Sequence, residues 1–496
     1  MNKHGLGRLD VPAWTGRIGG PLGRHAEVSR SAWFDPVPWT IIATVVTWLG
    51  LMVRQLPCLQ TSIEKVPNVY MRLCYSDIPV LYQNRTAMWS GGALFAPGAD
   101  QTPLEYPALT GGFIWLARWI SGLLGAFIGP DADSAQILAA ANVFWAVNAV
   151  MLAVCFAVVV WAHLQMGRHS GSPHTGGVRV RAWDALLIAG APAVMMAGLV
   201  NWDLFAVALT SLGLLLWSRK RPFAAGVLIG LAVATKFYPL ALLPVILVLC
   251  VRAGRLKAFG QFVGGAVLAW VVANLPVIVT PAMLLHFAGW HPFWASVTSN
   301  FNGWSFFWTY NAGRGVEYGA LWYVLTLMGF HILNVSVAEA VCLVLAGLFI
   351  AGLVLTAPRR PRLGQVAFLV LVAFLVFNKV YSPQYVLWLL PMVVLARPAL
   401  TDVSVFAASE GLYFLAIWGH LAGKLTDGTG HEWLYPLAIL LRVGVQIWLA
   451  TRVVNDMWHP WQDPVRGPFV DDPIGGVLDH QPDIAWLQFG QPKANG

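Results

Sequence analysis

The sequence predicts an all-α polytopic membrane protein with about 12 transmembrane helices, within a range of roughly 11 to 14. Three observations point there. The 496 residues are 57% hydrophobic and only 11% charged, with a mean hydropathy of +0.64, whereas soluble domains carry roughly 25% charged residues. Apolar runs recur from about residue 38 to residue 454, several of them long enough to cross a bilayer. Short basic clusters separate the runs, as positive-inside bias requires of cytoplasmic loops.

The formal charge of +8 is dispersed among those clusters, which argues against a nucleic-acid partner. No room remains between the runs for a separate soluble catalytic domain, so any chemistry falls to loops and helix ends. The expected organisation is a cytoplasmic N-terminal tail (1–37), a membrane domain (38–454) and a poorly ordered cytoplasmic C-terminal tail (455–496). The first segment is rich in Gly and Arg without an apolar core, so the first span is expected to be retained. The last holds six acids against Arg466 and Lys493, amid many Pro and Gly.

Basic clusters at Arg179 and Arg181, at Arg219, Lys220 and Arg221, from Arg252 to Lys257, and at Arg359, Arg360 and Arg362 order the spans. If all are cytoplasmic, an even number of crossings separates each from the next. The first crossing is 39–53. A first outer loop of 54–136 then includes 108–128, which carries Arg118 and reads as helices packed at the outer face. The second crossing is 137–163. Residues 185–217 supply a pair broken at Asn201-Trp202-Asp203, and residues 222–251 a pair broken at Lys236-Phe237-Tyr238-Pro239. Residues 261–280 leave the cytoplasm. A second large outer loop follows (281–335), in which 321–332 reads as interfacial or re-entrant, and one crossing within 319–357 returns. Spans near 364–377, 385–396, 403–422 and 433–451 complete a plasma-membrane protein with both termini cytoplasmic.

This topology collects the conspicuous polar residues on the outer face, where ionisable groups at a membrane edge need a functional or pairing reason. Asp77 can start a helix, with Ser76 or itself as N-cap, or serve as a general base with a pKa raised by burial. Lys236 and Lys379 violate the positive-inside bias; they either snorkel or form fixed cations suited to a phosphate, and Arg72 of the first outer loop is a third phosphate-binding candidate. Glu105 and Tyr106, Asn201 and Asp203, Tyr238, and Gln384 with Tyr385 can orient sugar hydroxyls or cap helices and tie loops. His291 and Trp304 fall in an aromatic-rich stretch that reads as an interfacial belt or a sugar-stacking wall. Asp131 and Asp133 fit helix capping better than metal binding. Cys58 and Cys74 share the first outer loop, where a disulfide can form. No P-loop, zinc-spaced cysteine pair, nucleophile elbow or Rossmann glycine pattern occurs, and neither cofactor nor metal is expected. Gly-x-x-Gly spacings read as close helix packing.

In order along the chain, Asp77, Glu105-Tyr106-Pro107, Asn201-Trp202-Asp203, Lys236-Phe237-Tyr238-Pro239 and Ser382-Pro383-Gln384-Tyr385 with Trp388 resemble glycosyltransferase family 87 over about residues 38–452. The resemblance implies a GT-C fold and a polyprenyl-phosphate sugar donor. It further implies a glycolipid or cell-envelope polysaccharide acceptor, membrane lipids as surroundings, and an inverting, metal-independent transfer at the outer face. Asp77 would be the base, with Lys236 and Lys379 at the departing phosphate. Mannosyl-transferring members carry histidines after the Ser-Pro, where this chain has Gln384-Tyr385. Despite this departure mannose stays the first choice of donor sugar, with arabinofuranose or another lipid-linked pentose or amino sugar behind it. A lipid-linked sugar flippase is the competing class, and it would want charges along a path through the bilayer rather than at one face.

Overall fold

The computed structural model describes residues 35–90, 93–95, 102–129, 131–169, 180–278, 293–330, 332–426, 432–466 and 471–484. Among these, every regular element is helical. Most of the expected N-terminal tail lies outside the described residues.

The chain enters through α1 (Pro36–Gln55), where Asp35 accepts the Val37 N–H at 3.0 Å and Pro36 opens the first turn. The loop after it leads to α2 (Asp77–Asn84), α3 (Thr86–Trp89) and α4 (Ala108–Ser121). A turn at Gly122–Ala126 follows, closed by Gly125 at φ 90°. Next come the long α5 (Ser134–His169), α6 (Leu186–Ala189), α7 (Pro192–Ala197), α8 (Asp203–Ser218), α9 (Pro222–Val233), α10 (Leu242–Arg252) and α11 (Leu256–Ile278). The remainder is α12 (Phe293–Gly313), α13 (Leu321–Leu327), α14 (Val335–Thr356), α15 (Leu363–Phe377), α16 (Val386–Ala396), α17 (Leu400–Leu421) and α18 (Leu434–Trp458).

Among the described residues, six helices are long and apolar enough to cross a membrane: α1 with its following turn, α5, α11, α14, α17 and α18. Five shorter apolar helices accompany them, namely α8, α9, α10, α15 and α16. The protein is membrane-embedded. Residues 108–121 form a helix too short to join the six, and α13 spans only seven residues. The segment expected as a second outer loop contains the 21-residue α12.

Small residues set a close helix contact. α9 packs on α8 and α11, and a Cβ on Gly226 or Gly230 would lie 1.9 Å from the Phe262 carbonyl oxygen or 2.1 Å from that of Ala266. Without hydrophobic drive between helices in lipid, such backbone approach is what holds them together.

Three helix pairs are interrupted at polar sequences: α7 and α8 around Asn201, α9 and α10 around Lys236, and α15 and α16 around Lys379. The opposite ends of the same helices carry basic clusters, Arg219 after α8, Arg252 closing α10 and Arg362 opening α15. Polar breaks and arginines therefore mark opposite ends of the bundle.

The expectation of a poorly ordered tail is corrected for its described part. Helix α18 runs to Trp458, and the acids beyond it dock on the basic end. Fully buried Arg362 donates to Asp463 at 2.7 and 2.9 Å, and Asp472 accepts the Leu363 N–H at 2.8 Å, capping α15. Arg252 pairs with Asp483 at 2.7 Å, and Trp217 Nε1 donates to the Gly475 carbonyl at 3.1 Å. Buried guanidinium groups need carboxylate partners, and the tail supplies them. Composition alone reads such a segment as solvated.

Candidate active site

The three helix breaks and the first loop enclose one cavity of about 970 Å³. Helices that end inside a membrane protein free backbone groups only where they line such a cavity. Its walls include Asp77, Glu105, Tyr106, Asn201, Lys236, Tyr238, Lys379, Gln384 and Tyr385, nine of the residues singled out from sequence.

Asp77 reaches the cavity because its neighbour does the capping. Ser76 accepts the Ile78 N–H at 3.3 Å, so the Asp77 carboxylate is free of that duty. The backbone N–H of Asp77 donates to the Val200 carbonyl at 2.7 Å, tying the start of α2 to the turn before α8. A Cys58–Cys74 disulfide, with Cα atoms 6.0 Å apart, anchors the loop to the end of α1. Burial raises the Asp77 carboxyl to a pKa of about 6. The Tyr75 hydroxyl, which donates to it, and the Lys236 charge pull in the opposite direction, while Asp203 and Glu105 add to the rise.

Lys236 is held rather than snorkelling. Its ammonium lies 3.2 Å from Asp203 Oδ1 and over the Tyr106 ring at 5.2 Å. Asp203 is fully buried, and Oδ1 also accepts from Trp388 Nε1 at 3.1 Å. Trp388 stacks between Tyr238 and Tyr385, with ring centroids 4.5 and 3.7 Å away. Asn201 uses its Oδ1 to accept the Asp203 N–H at 3.0 Å, so its first role is to shape the helix start. Glu105 pairs with Arg85.

Lys379 also lines the cavity, but its ammonium is bonded to the Ala312 carbonyl at 3.1 Å and to Ser336 Oγ at 2.9 Å. A donor phosphate would have to share it with these groups.

Two expected site residues lie elsewhere. Arg72 is exposed, donates to the Pro57 carbonyl, and does not line the cavity. It steadies its own loop. Trp304 donates to Asn274 Oδ1 at 2.6 Å and packs on Trp270 and Trp308, tying α12 to α11. A tryptophan with both a ring partner and an acceptor on a neighbouring helix is spoken for. His291 is outside the described residues. Asp133 forms a reciprocal cap with Gln136 at the start of α5, in keeping with the capping reading.

The cavity also recruits residues that sequence reasoning passed over: Tyr70, Tyr75, Arg314, Glu317, Glu339 and Trp418. Arg314 and Glu317 form an ion pair at i,i+3 spacing, a visible signal. Tyr75 stands two residues before Asp77. Trp418, in the last turn of an apolar helix, offers none.

Fold and cavity together define a polytopic membrane protein with a polar chamber equipped with a carboxylate and cations. The family model described as Glycosyltransferase family 87 matches residues 134–383, just over half of the 496 residues. The chain belongs to glycosyltransferase family 87 and is a membrane glycosyltransferase. A comparison with curated proteins finds no match. The matched stretch contains Asn201, Asp203, Lys236, Tyr238 and Lys379, whereas Asp77, Glu105, Gln384 and Tyr385 fall outside it.

Proposed function

We propose that the enzyme transfers a sugar, mannose as first choice, from a polyprenyl-phosphate donor to a glycolipid or cell-envelope polysaccharide at the outer face of the plasma membrane. Asp77 takes the proton of the acceptor hydroxyl as that oxygen attacks the anomeric carbon. The bond from that carbon to the phosphate oxygen breaks on the opposite side, inverting the centre. The lipid phosphate leaves as an anion stabilised by Lys236 and, where Ala312 and Ser336 yield it, by Lys379.

One observation carries this reading: an uncapped carboxylate with a pKa of about 6 and a held lysine share one cavity and one electrostatic neighbourhood. A base of that strength is ionised at neutral pH yet still accepts a proton. The outer-face placement is supported by the disulfide in the Asp77 loop, which an oxidising compartment favours. It is supported also by the basic clusters at the other end of the bundle. Gln384 and Tyr385 keep arabinofuranose and amino-sugar donors as alternatives, since both line the cavity where a donor sugar would lie.

Purified protein should transfer mannose from a polyprenyl-phosphate donor, and Asp77→Asn should lower the rate by roughly 10²- to 10⁴-fold while still binding donor. Full activity in that variant removes Asp77 as base. Preference for another sugar in a donor screen replaces mannose. Reporters fused after residues 175 and 300 should report inside and outside respectively.

A further inference from the structure

Three aromatic rings sit beside Asp77. Tyr70 and Tyr75 stack at 5.6 Å and 23°, and Trp418 from α17 lies 5.8 Å from the first and 5.4 Å from the second. All three line the cavity; Trp418 is buried, while the two tyrosines are half-exposed. The chain distorts to make this arrangement. Leu73 adopts φ 58°, a left-handed conformation that a leucine avoids. Its N–H bonds the Tyr70 carbonyl at 3.1 Å and that of Cys74 bonds Val69 at 3.0 Å. The turn folds the segment back so that Tyr70 and Tyr75 share one face, and the disulfide at Cys74 holds it there.

A second aromatic group, Tyr238, Trp388 and Tyr385, is bonded through Asp203 to Lys236. The two groups are thus wired to different chemical partners, one to the carboxylate through Tyr75 and one to the cation through Trp388. In an inverting displacement the nucleophile and the leaving group occupy opposite faces of the anomeric carbon. Rings attached to the base therefore belong to the acceptor side, and rings attached to the cation to the donor side.

We propose that Tyr70 and Tyr75, backed by Trp418, form the acceptor subsite, a flat shelf on which a pyranose ring stacks, with the Tyr75 hydroxyl as a positioning group for the Asp77 carboxylate. That the shelf binds a sugar stands on its place in the cavity; that it is the acceptor side, and the positioning role of Tyr75, rest on Asp77 being the base. Aromatic faces bind the C–H face of a sugar ring while leaving its hydroxyls free, so a sugar lying on Tyr75 presents an edge hydroxyl towards Asp77. The charged and titratable groups facing that carboxylate are Tyr75, Tyr106, Lys236, Asp203 and Glu105. Of these, Tyr75 is the one that donates a hydrogen bond to it.

The test uses the full chain in lipid nanodiscs with octyl α-D-mannopyranoside as probe, read by saturation-transfer NMR. Wild type should saturate with the probe. Tyr70→Ala and Tyr75→Ala should each weaken it by up to roughly tenfold, the size of one lost aromatic contact. Both should keep wild-type thermal unfolding and farnesyl-phosphate binding. Tyr75→Phe should keep probe affinity but move the acidic limb of the transfer rate to higher pH, because a hydrogen bond to the ionised form is lost. No saturable binding by wild type, or unchanged binding in both alanine variants, overturns the shelf. An unmoved limb in Tyr75→Phe overturns the positioning role. If Asp77→Asn retains transfer, the base assignment fails, and probe binding still decides the shelf separately.

Discussion

Lys236 places its ammonium 3.2 Å from Oδ1 of Asp203, and the second oxygen of that fully buried carboxylate has no hydrogen-bond partner among the described residues. An under-satisfied acid beside the cation proposed for the donor phosphate would tie stability to donor binding. Lys236→Ala would leave Asp203 buried with only the Trp388 hydrogen bond. Loss of one member of a buried pair costs about 3 kcal/mol. Thermal unfolding should fall together with affinity for polyprenyl phosphate. A variant that loses neither removes Lys236 from the phosphate site.

The reaction should depend on pH through Asp77. As the proposed base Asp77 acts when ionised, and its carboxyl is raised to about 6. Turnover should therefore be full above that value and fall tenfold per pH unit below it. The profile of kcat/KM against pH reads this directly, because it reports ionisation in the free enzyme. A limb near pH 4 would mean that the carboxylate is solvated and that the enclosure described around it is wrong.

The Cys58–Cys74 bond joins residues 16 positions apart, immediately ahead of Asp77. Chain entropy for a loop of that size amounts to about 3 kcal/mol. Reductant should lower the unfolding temperature of wild type and leave a Cys58→Ser, Cys74→Ser double variant unaffected. Equal responses in both proteins would show that the bond does not form.

At the other end of the bundle, Asp463 is fully buried against Arg362. Asp463→Ala strands a guanidinium that is only 1% exposed, and should destabilise by about 3 to 5 kcal/mol. Replacing solvent-facing Glu64 by Ala should cost under about 0.5 kcal/mol in the same unfolding assay. Similar values for the two would mean that the tail is not docked.

Hydropathy, charge clusters and motif order carried the sequence reading a long way. The membrane class, the helical fold, the family and the nine cavity residues among those singled out were all legible, because each depends on local composition or on spacing along the chain. Helix breaks at Asn201, Lys236 and Lys379 are local too, since a polar residue within an apolar run announces itself. Tertiary structure alone decided what those breaks face. Whether Ser76 or Asp77 caps α2 depends on which side chain turns back to the helix, and that freed the carboxylate. Arg72 and Trp304 carry suitable chemistry but were claimed by Pro57 and Asn274. Trp418 became a cavity wall only through the packing of α17 beside the first loop. The tail, read from its Pro, Gly and acids as solvated, was ordered by arginines more than a hundred positions earlier. Sequence records which groups a chain has; desolvation decides which of them must pair, and only the folded arrangement shows which remain free to act.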